Sequence, residues 1–400
     1  MNSLLENRIA EHMNMLVSQV GERAGGSPAC LQAEVYIQSY FGGCGWKTER
    51  QAFDCPAWEP LGTKLLVNDR LLAAHTNAYS PPCSVRATAV PVATLAELEA
   101  ADLNGRIAVL YGALLPTPLS PKSWFLKSER DDRIIQLLES KQPAALITVQ
   151  RIGGGVERLI EDWEFTIPSA TVSAAVGREI LEAETPALHL QIDSSREPGQ
   201  TANIVGRSNA DQKRVVLCAH HDTKYGTPGA CDNASGVAIL LALAEFLNPQ
   251  DYPFTLELVS FTNEEYMPIG DDEYLRRNGG DDLSDVIACI NTDGVGQILA
   301  PDSIAAISTG THFQETLAGL ASTRADLEWA DPWPESNHST FAWRGVPSVA
   351  FTSTNRVALA HHPYDDLGWS SPQRIARLVP VIKDILDLLA EKPLDWARVG

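Results

Sequence analysis

Apolar and polar positions follow three textures along this chain, and each predicts a different kind of element. Near the start, Leu5, Ile9, Met13, Leu16 and Val20 recur at three- and four-residue intervals among polar neighbours, which predicts an amphipathic helix. GERAGGSPACLQAEVYIQSYFGGCGWKTERQAF (21–53) then reads as a Gly-rich loop, a second helix, a stop over Gly42–Gly45 and a strand. Between about 58 and 200 the apolar runs become short, such as RIAVL (106–110) and AALIT (144–148). Proline-rich connectors such as LLPTPLSP (114–121) separate them, so this stretch predicts a mostly β module with a helix or two.

From residue 200 the texture becomes alternating strand and helix. VVLCA (215–219), LELVSF (256–261), VIACI (286–290), IAAI (304–307) and PSVAF (347–351) are strand candidates, and ASGVAILLALAEFL (234–247) is a strongly apolar helix. Near-continuous apolar strands between helices imply a largely parallel sheet covered on both faces. The chain closes with a helix that Ser371 caps and Pro372 opens, and Pro380 is expected to kink or interrupt it. The expected fold is α/β, a mixed, largely parallel sheet sandwiched by helices. One domain is made of 1–57 and 200–400, and 58–199 is inserted into it.

At 400 residues, two domains is the natural starting point, and 44% hydrophobic residues is ordinary globular composition. The charge of −20 disfavours a nucleic-acid partner, which would ask for a basic patch. No apolar run approaches the roughly 18 residues that a membrane-spanning helix needs. The first helix carries Glu6, Arg8 and Glu11, unlike the apolar core of a secretory leader, so a cytoplasmic chain is expected. The seven cysteines show no CxxC pair and no spacing of a disulfide frame or thiolate zinc site.

Chemistry-bearing residues gather just beyond the strands. His220, His221 and Asp222 follow VVLCA, and GACDNASG (229–236) turns into the apolar helix. Asn263-Glu264-Glu265 follows LELVSF, Asn291-Thr292-Asp293 follows VIACI, and His361-His362 comes after PSVAF. Ligands of open α/β sheets sit at the carboxyl ends of the strands, so these clusters are placed to converge. Each has an ordinary reading alone. His220 would be a backbone-bonded histidine, Asp232 a helix cap, Glu264–Glu265 a solvated pair and Asp293–Gly294 a turn. Taken together, histidines and carboxylates without cysteine suit zinc or another divalent ion. HExxH, GxSxG and Walker motifs are absent from the sequence.

The ordered pieces His220-His221-Asp222, GACDNASG, EEYMPIGDDEY (264–274), NTDGVG (291–296) and HHPYDDL (361–367) resemble the co-catalytic zinc aminopeptidase family. That family includes bacterial leucyl aminopeptidase and glutamate carboxypeptidase II, on a zinc-exopeptidase, phosphorylase/hydrolase-like fold. The resemblance runs from about 203 to the C-terminus and extends to GERAGGSPACLQAEVYIQSYF near the start. It implies a zinc metallopeptidase that removes the N-terminal residue of peptides with a free N-terminus. Two zinc ions are implied, with cobalt or manganese able to replace them. His220 and Asp293 would bind one metal, Glu265 and His361 the other, and Asp232 would bridge both. Glu264 would be the general base toward a metal-bridged water, and Asp222 would orient His220. The family also places a cis peptide after the bridging aspartate, here Asp232–Asn233.

Several departures bear on the site. His361 and His362 are adjacent, and aligning Pro363 and Asp365 with the resembled family's His-Thr-Pro-x-Asp pattern implies His361 as the ligand. His221 and Asn337 differ from the residues the family commonly has there. His338 is a pocket candidate, and Cys231 is expected to point away from the site. Trp329, Trp333, Trp343 and Trp369 would wall an apolar subsite or belong to the core. Arg344 and Arg356 are candidates for a clamp on a substrate carboxylate. The segments 101–112, 141–150 and 165–181 resemble the protease-associated domain often inserted in this family. Two other readings stay open: a single-zinc glutaminyl-peptide cyclotransferase-like enzyme, and a non-catalytic receptor-like binding module.

Overall fold

The computed structural model describes residues 2–124, 126, 128–151, 156–183, 186–208, 213–354 and 359–398. By its internal contacts the chain divides into two compact units, Met1–Cys55 with Gln200–Gly400, and Pro56–Gly199.

In the first unit, four strands run parallel side by side in the order Ser348–Ser353, Val286–Thr292, Arg214–His220 and Thr255–Phe261. Their register sets Phe261 opposite His220 and Asn291 opposite Cys218, so their carboxyl ends finish along one edge. Asp302–Ile307 adds antiparallel to Ser348–Ser353, and residues 204–207 add antiparallel to Thr255–Phe261.

The period of two along a strand explains why these runs are apolar throughout. Val215, Leu217 and Ala219 enter a core built with Ile9, Met13 and Leu16 of the helix Asn2–Asn14 and its extension. Val216 and Cys218 enter a separate core with Phe261, Tyr274 and Phe341. The helix Ser235–Phe246 is buried from Ser235 to Ala244, which accounts for its apolar composition all round.

The helix Pro372–Ala390 starts as expected, with the Ser371 side chain accepting from Arg374 N–H. It then runs uninterrupted through Pro380. Pro380 lies on the exposed face, where water can satisfy the carbonyl it deprives of a partner. The opposite face buries Ile375, Leu378, Ile382, Ile385, Leu386 and Leu389. Each such side chain contributes about 1.5–3 kcal/mol, which together outweighs the ~3 kcal/mol cost of an interior proline.

The second unit holds the parallel strands Cys83–Val92, Ile107–Leu110, Ala145–Val149 and Ser169–Val172. Among the described residues three α-helices accompany them, Leu95–Ala100 and Glu129–Lys141 between strands and Ala174–Glu182 after the last, where one or two are expected. Thr94, Ser128 and Ser173 cap them through their side chains. The helix Glu129–Lys141 is rich in charge and buries only Asp131, Ile134, Ile135 and Leu138, so its apolar signal is thin in the sequence. None of the seven cysteines, all among the described residues, is in a disulfide. No helix among the described residues is long and apolar enough to cross a membrane.

Candidate metal centre

Every cluster that follows a strand of the parallel set in the first unit meets at one point. His220, the last residue of its strand, is fully buried. Its Nε2 lies 3.2 Å from Asp232 Oδ1, 3.5 Å from Asp293 Oδ1 and 3.9 Å from Glu264 Oε2. His361 Nε2 lies 3.2 Å from Asp232 Oδ2 and 3.1 Å from Glu265 Oε2. The two oxygens of Asp232 thus face two different histidines.

The loop carrying Asp232 is held tightly. The Asp232–Asn233 peptide is cis. Asp365 accepts the N–H groups of Cys231 at 2.8 Å and Asp232 at 3.0 Å, and Asn233 Nδ2 donates to Thr292 O at 2.9 Å. Gly229 has φ +60°, and a Cβ there would collide with Thr223 and the Asp232 carbonyl, so this turn requires glycine.

Asp222 stands beside His220 with both its main chain and its side chain. His220 Nδ1 hydrogen-bonds the Asp222 backbone carbonyl at 3.2 Å, with the carboxylate 3.6 Å away. The carboxylate instead accepts the N–H groups of Glu264 at 3.2 Å and Glu265 at 3.3 Å. Asp222 therefore fixes the imidazole with its main chain and aims the two glutamates with its side chain.

The electrostatics are those of too many carboxylates in too little water. Burial, opposed by His220 and reinforced by Asp293, Glu265 and Asp232, raises the Glu264 pKa well above the usual carboxylate range. Burial and Asp232 raise Glu265 as well. Burial disfavours charge on His220, yet Glu264, Asp222, Asp232 and Asp293 outweigh it and push its pKa well up. His361 is pushed up to about 10, with burial and Lys224 opposing Glu265 and Asp232. Such a cluster is satisfied by protons or by cations.

The residues fit divalent metal. His220 Nε2 and Glu265 Oε1 are buried and lack a hydrogen-bond partner, although carboxylate oxygens surround the imidazole nitrogen. Ligand atoms of His220, Asp232 and Glu265 lie within 4.8 Å of one another, as do those of His220, Glu264 and Asp293. Nitrogen and oxygen donors without sulfur match a zinc-type centre.

The other sequence candidates are dispersed. His362 Nδ1 accepts Tyr364 N–H at 3.2 Å, and its ring packs on Tyr364. Cys231 Sγ faces Val295 O and Gln297 Nε2. His338 is buried between Trp333 O and Asn291 Nδ2, and Asn337 donates to Asp271. Trp329, Trp343 and Trp369 are exposed, whereas Trp333 packs edge-on against His338. Arg344 is engaged by Asp281 and Thr340 O, and Arg356 lies outside the described residues.

Two contributors escaped the sequence. Asp365 served in the sequence only to align His361 and was given no role of its own, and Arg23 stood only as part of GERAGG. The Arg23 guanidinium is fully buried and donates to the carbonyls of Leu16, Gly21, His221, Pro228 and Gly229. It thereby ties the first Gly-rich loop to the turns on either side of the centre.

Residues 201–384 match the family model described as Peptidase family M28. Among solved structures, the fold is similar to an aminopeptidase from Aneurinibacillus sp. strain AM-1, at 22% identity and TM-score 0.71, covering 100% of this chain and 97% of that one. It is also similar to BSAP, a zinc aminopeptidase from Bacillus subtilis, at 17% identity and TM-score 0.78, covering 97% and 95%. A Peptidase M28 precursor from Shewanella amazonensis gives 18% identity and TM-score 0.74, covering 97% and 96%. No curated protein matches the chain. The M28 match lies wholly within the first unit and spans His220, Asp232, Glu264, Glu265, Asp293 and His361.

Proposed function

We propose that the chain is an aminopeptidase of family M28 that holds two zinc ions and cleaves the first peptide bond of substrates with a free N-terminus. The observation that carries this reading is Asp232, whose two oxygens each stand 3.2 Å from the Nε2 of a different histidine. One carboxylate so placed suits two cations, because it offsets the repulsion between them.

In this reading His220 and Asp293 would hold one ion, Glu265 and His361 the other, and Asp232 would serve both. When bound, the pair would supply Lewis acidity toward the scissile carbonyl and toward a water nucleophile. Glu264 stands free for the proton. Its oxygen is 3.9 Å from His220 Nε2, its backbone is fixed by Asp222, and its raised pKa favours taking a proton from water and returning it to the leaving amine. The Asp222 carbonyl keeps the proton of His220 on Nδ1, leaving Nε2 as the donor atom for metal. The unit 56–199 is assigned as the protease-associated-like insert, and 1–55 with 200–400 as the peptidase domain.

Metal analysis of the purified protein, paired with hydrolysis of aminoacyl-anilides before and after chelation, tests the reading. Two zinc per chain and turnover lost on chelation support it. Glutamine cyclisation with one zinc replaces it with a cyclotransferase. Absence of both metal and turnover after zinc is added removes it.

A further inference from the structure

Behind the centre lies a second convergence of ligand-type side chains that peptide hydrolysis does not use. Successive side chains of a strand point to opposite faces, and the ladder continues past His220 because His221 N–H donates to Phe261 O at 2.9 Å. His221 shares the parity of Val215, Leu217 and Ala219, which face the helix-covered core. It is fully buried, its Nδ1 is 3.0 Å from Ser260 Oγ, and its Nε2 has no hydrogen-bond partner.

Cys30 and Glu34 meet it there. They stand one turn apart on the helix Pro28–Gly43, on the same face, and are 0% and 1% exposed. Cys30 Sγ, a Glu34 carboxylate oxygen and a His221 ring nitrogen all lie within 4.8 Å of one another. Thr201 Oγ1 and Thr262 Oγ1 each stand 3.5 Å from the sulfur. Glu34 Oε1 accepts from Thr201 Oγ1 at 2.7 Å and Ala202 N–H at 2.9 Å, while Arg50 grips Oε2 through Nε at 3.1 Å and Nη2 at 2.6 Å.

An ordinary polar core accounts for the threonines and for Glu34, whose donors are matched. It leaves the imidazole nitrogen stranded, a buried polar atom whose desolvation nothing offsets. A nucleophilic cysteine does not fit, because the sulfur has no solvent access. Thiol, imidazole and carboxylate together are a recognised zinc donor set.

We propose that Cys30 Sγ, His221 Nε2 and the Glu34 carboxylate form a separate, buried zinc site, back to back with the centre at His220. On binding, Cys30 loses its proton and becomes the thiolate ligand, which the Thr262 hydroxyl can support by donating to it, while the Thr201 hydroxyl stays committed to Glu34. Thiolate and carboxylate neutralise the ion, and Arg50 keeps Glu34 oriented from outside. This site is independent of the aminopeptidase reading, since none of its ligands belongs to the hydrolytic centre.

The test is optical. Cobalt(II) replaces zinc in the full-length protein, and the near-ultraviolet sulfur-to-cobalt charge-transfer band is read alongside metal content. The centre at His220 has no sulfur ligand, so a band reports the second site. The wild type is expected to show the band. Cys30→Ser is expected to lose it together with one metal per chain, and Cys231→Ser is expected to keep both. Wild-type protein that binds cobalt without the band overturns the proposal, as does a band that survives Cys30→Ser and disappears in Cys231→Ser. Should Cys30→Ser fail to fold, zinc X-ray absorption of the wild type and of Cys231→Ser decides. Sulfur in the zinc shell of both supports the site, and a shell of nitrogen and oxygen alone overturns it.

Discussion

The unit 56–199 and the unit built from 1–55 and 200–400 each set four parallel strands side by side, yet their strand ends carry different things. In the smaller unit Leu110 runs into Tyr111 and Gly112, Val149 into Gln150, and Val172 into Ser173, which caps the following helix. In the larger unit the strands and the loops after them deliver His220, Glu264, Glu265, Asp293 and His361 to one point. Parallel architecture supplies an edge where side chains can gather, and the residues placed on that edge decide whether it becomes a centre. The larger unit also buries carboxylates that repel one another, a destabilising arrangement that cations relieve.

Breaking the contrast at its strongest point means removing the proposed base. Glu264→Gln should lower kcat by about 10²–10⁴-fold while metal content stays at the wild-type level, as read by anilide hydrolysis and elemental analysis. Equal loss of metal would show that Glu264 is a ligand and not the base.

A smaller effect is expected one step out. Asp365→Asn keeps one acceptor oxygen for the two N–H groups of Cys231 and Asp232. Metal affinity or kcat should fall about 10–100-fold, measured by chelator competition alongside turnover. An unchanged affinity and kcat would mean that other contacts suffice to hold Asp232.

The third test compares buried charge at the centre with a buried histidine away from it. His12 is 1% exposed, its Nδ1 is 2.6 Å from Tyr36 Oη, and burial pushes its pKa down to about 4. The folded state resists a proton that the unfolded chain accepts near pH 6.5, so stability present above that value is lost as pH falls toward 4. The loss should reach up to ~3 kcal/mol, and His12→Phe should remove that part of the acid slope in urea unfolding. Parallel slopes for both proteins would assign acid sensitivity elsewhere.

The smallest effect belongs to the other unit. Ser173→Ala should cost about 1 kcal/mol in unfolding by losing a helix cap and leave kcat/KM within about twofold. A larger kinetic effect would give the smaller unit's strand ends a part in turnover.

Much of the larger unit was legible because its strands are buried on both faces and read as unbroken apolar runs. The smaller unit was read less fully, since the helix Glu129–Lys141 shows charge more than periodicity. Convergence of the centre was legible from strand ends alone, whereas its supports were not. The Asp222 carbonyl that accepts from His220 is not legible in the sequence, because main-chain acceptors leave no trace in residue identity. Arg23 pairs with carbonyls as many as 206 positions away, a relation that no local pattern encodes. Pro380 misled because a helix breaker is tolerated where one face is wet and the other deeply packed.

Arg23 also bears on how this protein can be cut, trimmed or recombined. A fragment starting at residue 200 would retain every residue assigned here to the hydrolytic centre, and by inventory would look complete. It would lack the guanidinium that gathers the carbonyls of His221, Pro228 and Gly229, leaving Gly229 with the N–H of Ala234 and the other two short of this donor. The opening segment is therefore a keystone: chimeras that exchange it should preserve this arginine and its loop, or the remainder will hold the right letters in a slackened frame.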